Sequence, residues 1–179
     1  NTANYRGHYE TTGKEIWEQT EGKVDGFICA SGTGGTIAGV SNALKEKNKN
    51  IKVYLSDPKG SCLYNYIKTK EFKSEGNSIT EGIGSSRATK NFEKALIDDA
   101  YSIDDTTALT VLFDLIEQEG LSLGTSSGIN VAGAIKLAQE LGPNKTIVTI
   151  LCDKSDRYQG KLFNKKFLMD KNLPYPRWL

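Results

Sequence analysis

The chain interleaves two hydrophobic periods. Nearly unbroken apolar runs of strand length occupy residues 24–30, 51–56 and 145–152, and between them apolar residues return at three- and four-residue spacing, the period of a helix with one buried face. The pattern predicts a helix over residues 12–20, a strand over 24–30, a helix over 35–45, a strand over 51–56 and a short helix over 61–68. Farther on, Asp105 caps an amphipathic helix with Leu109, Leu112, Phe113 and Ile116 along one face, and Gly120 stops it. A helix over 130–141, whose Ala132, Gly133 and Ala134 permit close packing, a strand over 145–152 and a last helix around 161–168 complete the pattern. Strands separated by helices pair in parallel through right-handed crossovers. The expected fold is therefore α/β, a single domain over residues 1–179 with three layers around a mainly parallel sheet.

The strand over 24–30 runs into Ser31-Gly32-Thr33-Gly34-Gly35-Thr36 and then directly into a helix. Such a turn gathers backbone N–H groups and the positive end of a helix dipole at one place, which favours a phosphate. The glycines allow positive φ and close backbone approach, and the hydroxyls of Thr33 and Thr36 add donors without bulk. A Walker loop would need Gly-Lys-Ser/Thr after the glycines, and no lysine lies between this loop and Asn42. A dinucleotide loop would need a third glycine where Ile37 stands, although Asp57, at the end of the next strand, has the position of a ribose acid. That reading stays open on the loop alone. Two more glycine segments, Glu81-Gly82-Ile83-Gly84 and Gly124-Thr125-Ser126-Ser127-Gly128, also belong in loops, and ligands of open α/β sheets lie where such loops meet, at the carboxyl ends of the strands. Taken alone, Ser126 also reads as the capping hydroxyl of the helix that follows.

Composition narrows the partners. A net charge of +1 with no basic patch interleaved with aromatics argues against nucleic acid, and no apolar run is long enough to span a bilayer. Three cysteines, Cys29, Cys62 and Cys152, form no paired motif and leave an odd count. They read as free thiols in a reducing compartment, Cys29 and Cys152 within strand runs. The single histidine, His8, stands in polar surroundings without a second metal-binding residue and reads as a surface or loop residue, so metal chemistry and histidine triads drop out together.

Four motifs in order, the Ser31–Thr36 loop, Glu81-Gly82-Ile83-Gly84, Gly124-Thr125-Ser126-Ser127-Gly128 and the tail from Asp153 to Tyr158, together with Thr11-Thr12-Gly13-Lys14-Glu15-Ile16-Trp17, carry a family resemblance. Over nearly all its length the chain resembles the carboxyl-terminal part of the cysteine synthase and cystathionine β-synthase family, fold-type-II pyridoxal-phosphate enzymes of two domains. The resemblance implies pyridoxal 5'-phosphate as cofactor, its phosphate on Gly32, Thr33, Gly34, Gly35 and Thr36 and its pyridine nitrogen against Ser126. A neutral hydroxyl does not hold that nitrogen protonated as a carboxylate would, which suits β-elimination and β-replacement better than transamination. The implied activity is cysteine synthase-like, on O-acetylserine, serine or cysteine.

Two departures stand out. Ser85-Ser86-Arg87 follows the second glycine loop where the family has small and aromatic residues, leaving Arg87 either as a substrate contact or as solvated charge. In the tail, Asp153-Lys154-Ser155-Asp156-Arg157-Tyr158 lacks the family's Pro and Gly around the Ser. No segment matches the family's Schiff-base lysine or its substrate-carboxylate loop, so no catalytic residue is assigned in this chain. The amino-terminal half is expected upstream of Asn1 or as a separate chain, in a homodimer within the cytoplasm or mitochondrion. A non-catalytic phosphate-binding or interaction module is the alternative for this polypeptide in isolation. A valine at Gly34 is expected to intrude on the phosphate and lower cofactor affinity more than stability.

Overall fold

The computed structural model describes residues 2–179. In chain order the elements are α1 (Thr2–Glu10), α2 (Thr12–Gln19), β1 (Gly26–Cys29), α3 (Gly35–Lys47), β2 (Lys52–Pro58), α4 (Leu63–Thr69), β3 (Asp99–Ile103), α5 (Asp105–Glu119), α6 (Thr125–Leu141), β4 (Ile147–Val148), α7 (Gln159–Leu162) and α8 (Lys165–Asp170). The strands form one parallel sheet in the order β3-β2-β1-β4. Helices cover both faces, as the alternating pattern requires.

Period-two alternation along β1 and β2 divides the core. Phe27, Cys29, Val53 and Leu55 pack with Ile37, Val40 and Leu44 of α3 and Leu63 of α4 on one face. Ile28 and Tyr54 turn the other way, onto Leu137 of α6. Ile129 and Ala132 of α6 meet Ile103 and Ala108, which brings α5 over α6. Each Phe, Leu, Ile or Val side chain among these, withdrawn from water, contributes roughly 1.5–3 kcal/mol.

Several boundaries differ from the expected ones, each for a local reason. Helix α1 has no buried residue and no apolar stripe, so hydrophobic periodicity does not reveal it. It is held by packing: a side chain at Gly39 of α3 would run into the backbone of Tyr5 and Tyr9 at 2.6 Å, so that glycine lets α1 lie directly on α3. The cap of α5 is Asp104, whose carboxylate accepts from the Thr107 N–H at 2.7 Å. Asp105 instead accepts from the Ser78 hydroxyl at 2.5 Å and the Ile79 N–H at 2.8 Å, tethering the polar segment 71–87. Helix α6 starts at Thr125 with Gly124 as cap, so Ser126 lies inside its first turn and is not the capping residue. The last helix of the pattern is two, α7 and α8, separated at Asn164, whose side chain caps α8.

Asp57 is fully buried at the end of β2, where one oxygen accepts from the Tyr64 N–H at 2.8 Å. It faces the start of α4, so the ribose role of a dinucleotide site falls away. Burial pushes its carboxyl up to about 6, opposed by the Ser61 hydroxyl and the N–H groups of Tyr64 and Leu63. An unfolded aspartate releases its proton near pH 3.9, so between these values the folded state binds more protons and stability falls as pH rises. In urea titrations, the stability of the wild type relative to Asp57→Asn should rise by up to about 3 kcal/mol as pH drops from about 8 to about 4. A difference flat with pH would mean that the carboxyl is solvated.

Candidate cofactor site

From β1 the chain builds outward through β2 and β3, then returns to place β4 on the other side of β1. A crevice opens beyond the carboxyl ends of two strands whose connections depart in opposite directions. Here that point lies between β1 and β4. The ladder between them stops after Phe27 and Val148. Continued in register, its next rungs would join the Ile28 carbonyl and the Ala30 N–H to Ile150. Side chains take these groups instead: the Thr149 hydroxyl donates to the Ile28 carbonyl at 2.7 Å, and Asn130 accepts from the Ala30 N–H at 2.6 Å while donating to the Ile150 carbonyl at 2.7 Å. The expected strand over 145–152 is thereby cut to two residues. Cys152 falls outside it, exposed beside the crevice, whereas Cys29 and Cys62 are buried.

The cleft so formed measures about 590 Å³, and Gly32, Thr33, Thr36, Gly82, Ser126 and Asp153 are among its walls. The glycine loop enters α3 through Gly34, at φ 81°. A Cβ there would meet the Phe92 backbone nitrogen at 2.6 Å, so the position faces the Phe92 turn and not the cleft. Gly32 packs under the Gly82 carbonyl, and the Gly84 N–H donates to the Ser31 carbonyl at 2.9 Å, which lays the second glycine loop on the first. A side chain at Gly35 would strike Asn4 of α1. Among the described residues no acceptor meets the N–H of Thr36 or Ile37, and Gly35 has only a long contact of 3.4 Å to the Thr33 hydroxyl. These are the orphan donors of a helix start.

On the opposite wall α6 presents its first turn. Ser126 is 5% exposed, and its hydroxyl has no hydrogen-bond partner among the described residues. The neighbouring Ser127 hydroxyl is engaged, accepting from the Cys152 N–H at 3.0 Å. Asp153 accepts from the Tyr158 hydroxyl at 2.8 Å, and burial with the adjacent carboxylate pushes that phenol up to about 12. The second glycine loop is tied across the rim by Lys161 of α7, which pairs with Glu81 and donates to the Ile79 carbonyl. Arg87 lies exposed away from these walls, with the bearing of solvated charge.

A family model described as "Pyridoxal-phosphate dependent enzyme" matches residues 1–153. The chain belongs to this family. It is 45% identical to a cysteine synthase of Dictyostelium discoideum over 96% of its own length and 48% of that protein's, and 47% identical to cysteine synthase 1 of Neurospora crassa over 97% and 47%. It is 36% identical to cystathionine beta-synthase of Rattus norvegicus, over 96% of this chain and 30% of the relative. The crystal structure of an O-acetylserine dependent cystathionine beta-synthase from Helicobacter pylori superposes with a TM-score of 0.81 at 32% identity, covering 90% of this chain and 50% of that one. The chain spans about half the length of the first two relatives. Pyridoxal phosphate is the cofactor of the family.

The residues present fit that group. Orphan N–H donors at the start of α3 suit a phosphate, and the Ser126 hydroxyl, without a hydrogen-bond partner among the described residues, lines the same cleft, which is wide enough for a substituted pyridine ring. Of the loop residues singled out in the sequence, Gly32, Thr33 and Thr36 line this cleft with Ser126, while Gly34 and Gly35 shape the backbone from behind. Sequence reasoning missed Asn4 and His8, which reach the loop from α1. The Thr33 hydroxyl donates to Asn4 Oδ1 at 2.8 Å, and the Thr36 hydroxyl lies 3.1 Å from His8 Nε2. His8 is thus a half-buried helix residue and not the surface or loop residue expected from its polar surroundings.

The direction of Gly34 reverses the expectation for its valine. Gly34→Val combines a branched side chain at positive φ with a collision against the Phe92 backbone, so it should cost about 3 kcal/mol or more in unfolding free energy without any cofactor present. Chemical denaturation of the cofactor-free protein measures this. Unchanged stability would mean that the Phe92 turn yields freely.

Proposed function

We propose that the complete protein is a cysteine synthase-like enzyme catalysing pyridoxal-phosphate-dependent β-replacement or β-elimination on O-acetylserine, serine or cysteine. In this reading the present chain holds the cofactor: Gly32, Thr33, Gly34, Gly35 and Thr36 form the phosphate cradle, and Ser126 meets the pyridine nitrogen. Residues 1–179 act as one cofactor-binding domain. The observation that carries the reading is that the unengaged donors of the α3 start and the free Ser126 hydroxyl share one cleft. Identity of 45–47% to cysteine synthases over nearly the whole chain supports the substrate class.

Pyridoxal phosphate, when bound, supplies the electron sink that lets a substituent leave the β-carbon of an amino acid. The work of this chain is to hold and orient. The α3 start fixes the phosphate end through fixed partial positive charge, with no mobile cation. Ser126, from the first turn of α6, offers a neutral hydroxyl to the ring nitrogen and leaves it without a formal countercharge. The second glycine loop, pinned by Lys161 and by Asp105, closes one flank against water.

No lysine among the described residues lines this cleft, so we assign the lysine that carries the cofactor, and the contacts to the substrate carboxylate, to the part of the protein outside this chain. The chain by itself is then inactive. In the complete protein Ser126→Ala should keep its cofactor and lose between about twofold and tenfold in kcat for acetate release from O-acetylserine with sulfide, the effect of one neutral hydrogen bond. Ser126→Asp should alter reaction specificity as well, because a carboxylate favours the protonated ring. If Ser126→Ala left every kinetic constant and the cofactor spectrum as in the wild type, the placement of Ser126 beneath the ring would be wrong.

A further inference from the structure

The two threonines of the glycine loop are not equivalent. Thr33 commits its proton to Asn4 Oδ1, an oxygen that only accepts, so its hydroxyl has no proton left for a ligand. Thr36 lines the same cleft, and its oxygen lies 3.1 Å from His8 Nε2. On the far side of that ring His8 Nδ1 lies 2.9 Å from the Thr12 hydroxyl at the start of α2. The three groups form a single file, Thr12 to His8 to Thr36, that ends at the cleft. Neither threonine hydroxyl has another partner among the described residues.

A neutral imidazole carries one donor and one acceptor, so the file can run in only two directions. In one, Thr36 donates to Nε2 and turns a lone pair toward the cleft. In the other, Nε2–H donates to Thr36, Nδ1 accepts from Thr12, and the Thr36 proton points at the cleft. An anion on the loop accepts only, and therefore selects the second. Burial lowers the His8 pKa, with no charged neighbour contributing, which keeps the ring in the neutral form that this ordering needs.

We propose that His8 is a positioning residue for phosphate recognition: held in the Nε2–H form by Thr12, it orients Thr36 as the loop's side-chain donor to the cofactor phosphate, while Thr33 is a structural acceptor-bound hydroxyl tied to α1. This rests on the reading that the cofactor phosphate lies on the loop. It differs from the sequence expectation, in which both threonines donate.

The test uses the complete protein. Affinity for pyridoxal phosphate should fall about five- to tenfold in Thr36→Val and in His8→Leu, and by less than about twofold in Thr33→Val, as expected for one hydrogen bond gained or lost. His8→Leu should add nothing in the Thr36→Val background, and His8→Gln, whose amide nitrogen reaches toward Thr36, should recover part of the loss. Affinity for pyridoxal, which lacks the phosphate, should be unaffected in all five variants. In the wild type, nitrogen NMR of the resonances that vanish in His8→Leu should show Nε2 protonated and Nδ1 bare once pyridoxal phosphate is added, a readout independent of any variant's stability. Additive losses, an Nδ1–H ring in the loaded protein, or a weakening in Thr36→Val without one in His8→Leu would overturn the role of His8 and leave the phosphate reading standing. If Thr36→Val bound pyridoxal phosphate as tightly as the wild type, the phosphate reading and this inference would fall together.

Discussion

The site depends on one side-chain amide. Asn130, 1% exposed, sits where the β1–β4 ladder would add its next rung and supplies both the acceptor for the Ala30 N–H and the donor for the Ile150 carbonyl. The two backbone groups stay satisfied although they no longer reach each other. Without the amide each would be a buried polar group costing about 1–3 kcal/mol, or the strands would zip together and close the crevice. The glycine loop on one side and the Cys152–Asp153 turn on the other part company because this wedge is in place.

What was legible in the sequence followed from signals that act locally. The glycine loop between a strand run and a helix run, the second glycine pair and the Ser126 turn all stand where their residues suggested, because tight turns and helix starts are decided by a few neighbouring positions. The parallel sheet and its two helical layers followed from alternation of period alone. Helix α1 did not, since it has no apolar stripe, and its place is fixed by the close approach that Gly39 of a distant helix allows. Because α1 was invisible, so were Asn4 and His8, whose polar side chains look like surface residues until a loop is brought against them. The overlong β4 has the same origin: its residues are strand-like, and what stops the ladder is an asparagine about twenty positions away in sequence. The tail departures noted around Asp153 lie at the cleft, whereas Arg87 does not.

The irregular stretch over residues 71–87 shows how a segment without secondary structure can still hold a wall in place. Four polar tethers position it: Asp105 on Ser78 and Ile79, Ser61 on both backbone groups of Ser85, the Gly60 N–H on the Glu75 carbonyl, and Lys161 on Glu81. All are short-range and directional, so they fix position without a hydrophobic core of their own. The carboxylate of Asp105 is available for this because Asp104 takes over the capping of α5. One residue of offset in a cap thus decides whether a loop is anchored.

Ser126 and Asn130 stand four residues apart on α6, and therefore on the same face, one turn above the other. A single rigid rod consequently sets two dimensions at once, the aperture between the strands and the height of the hydroxyl within it. The two are geared: any screw motion or register slip of α6 changes both together, and neither can be tuned alone by moving the helix. An insertion or deletion between these positions would rotate one off the shared face by about 100°. Lineage-to-lineage variation in length should accordingly accumulate beyond the far end of the helix, after Gly142, while the four-residue interval acts as a fixed gauge.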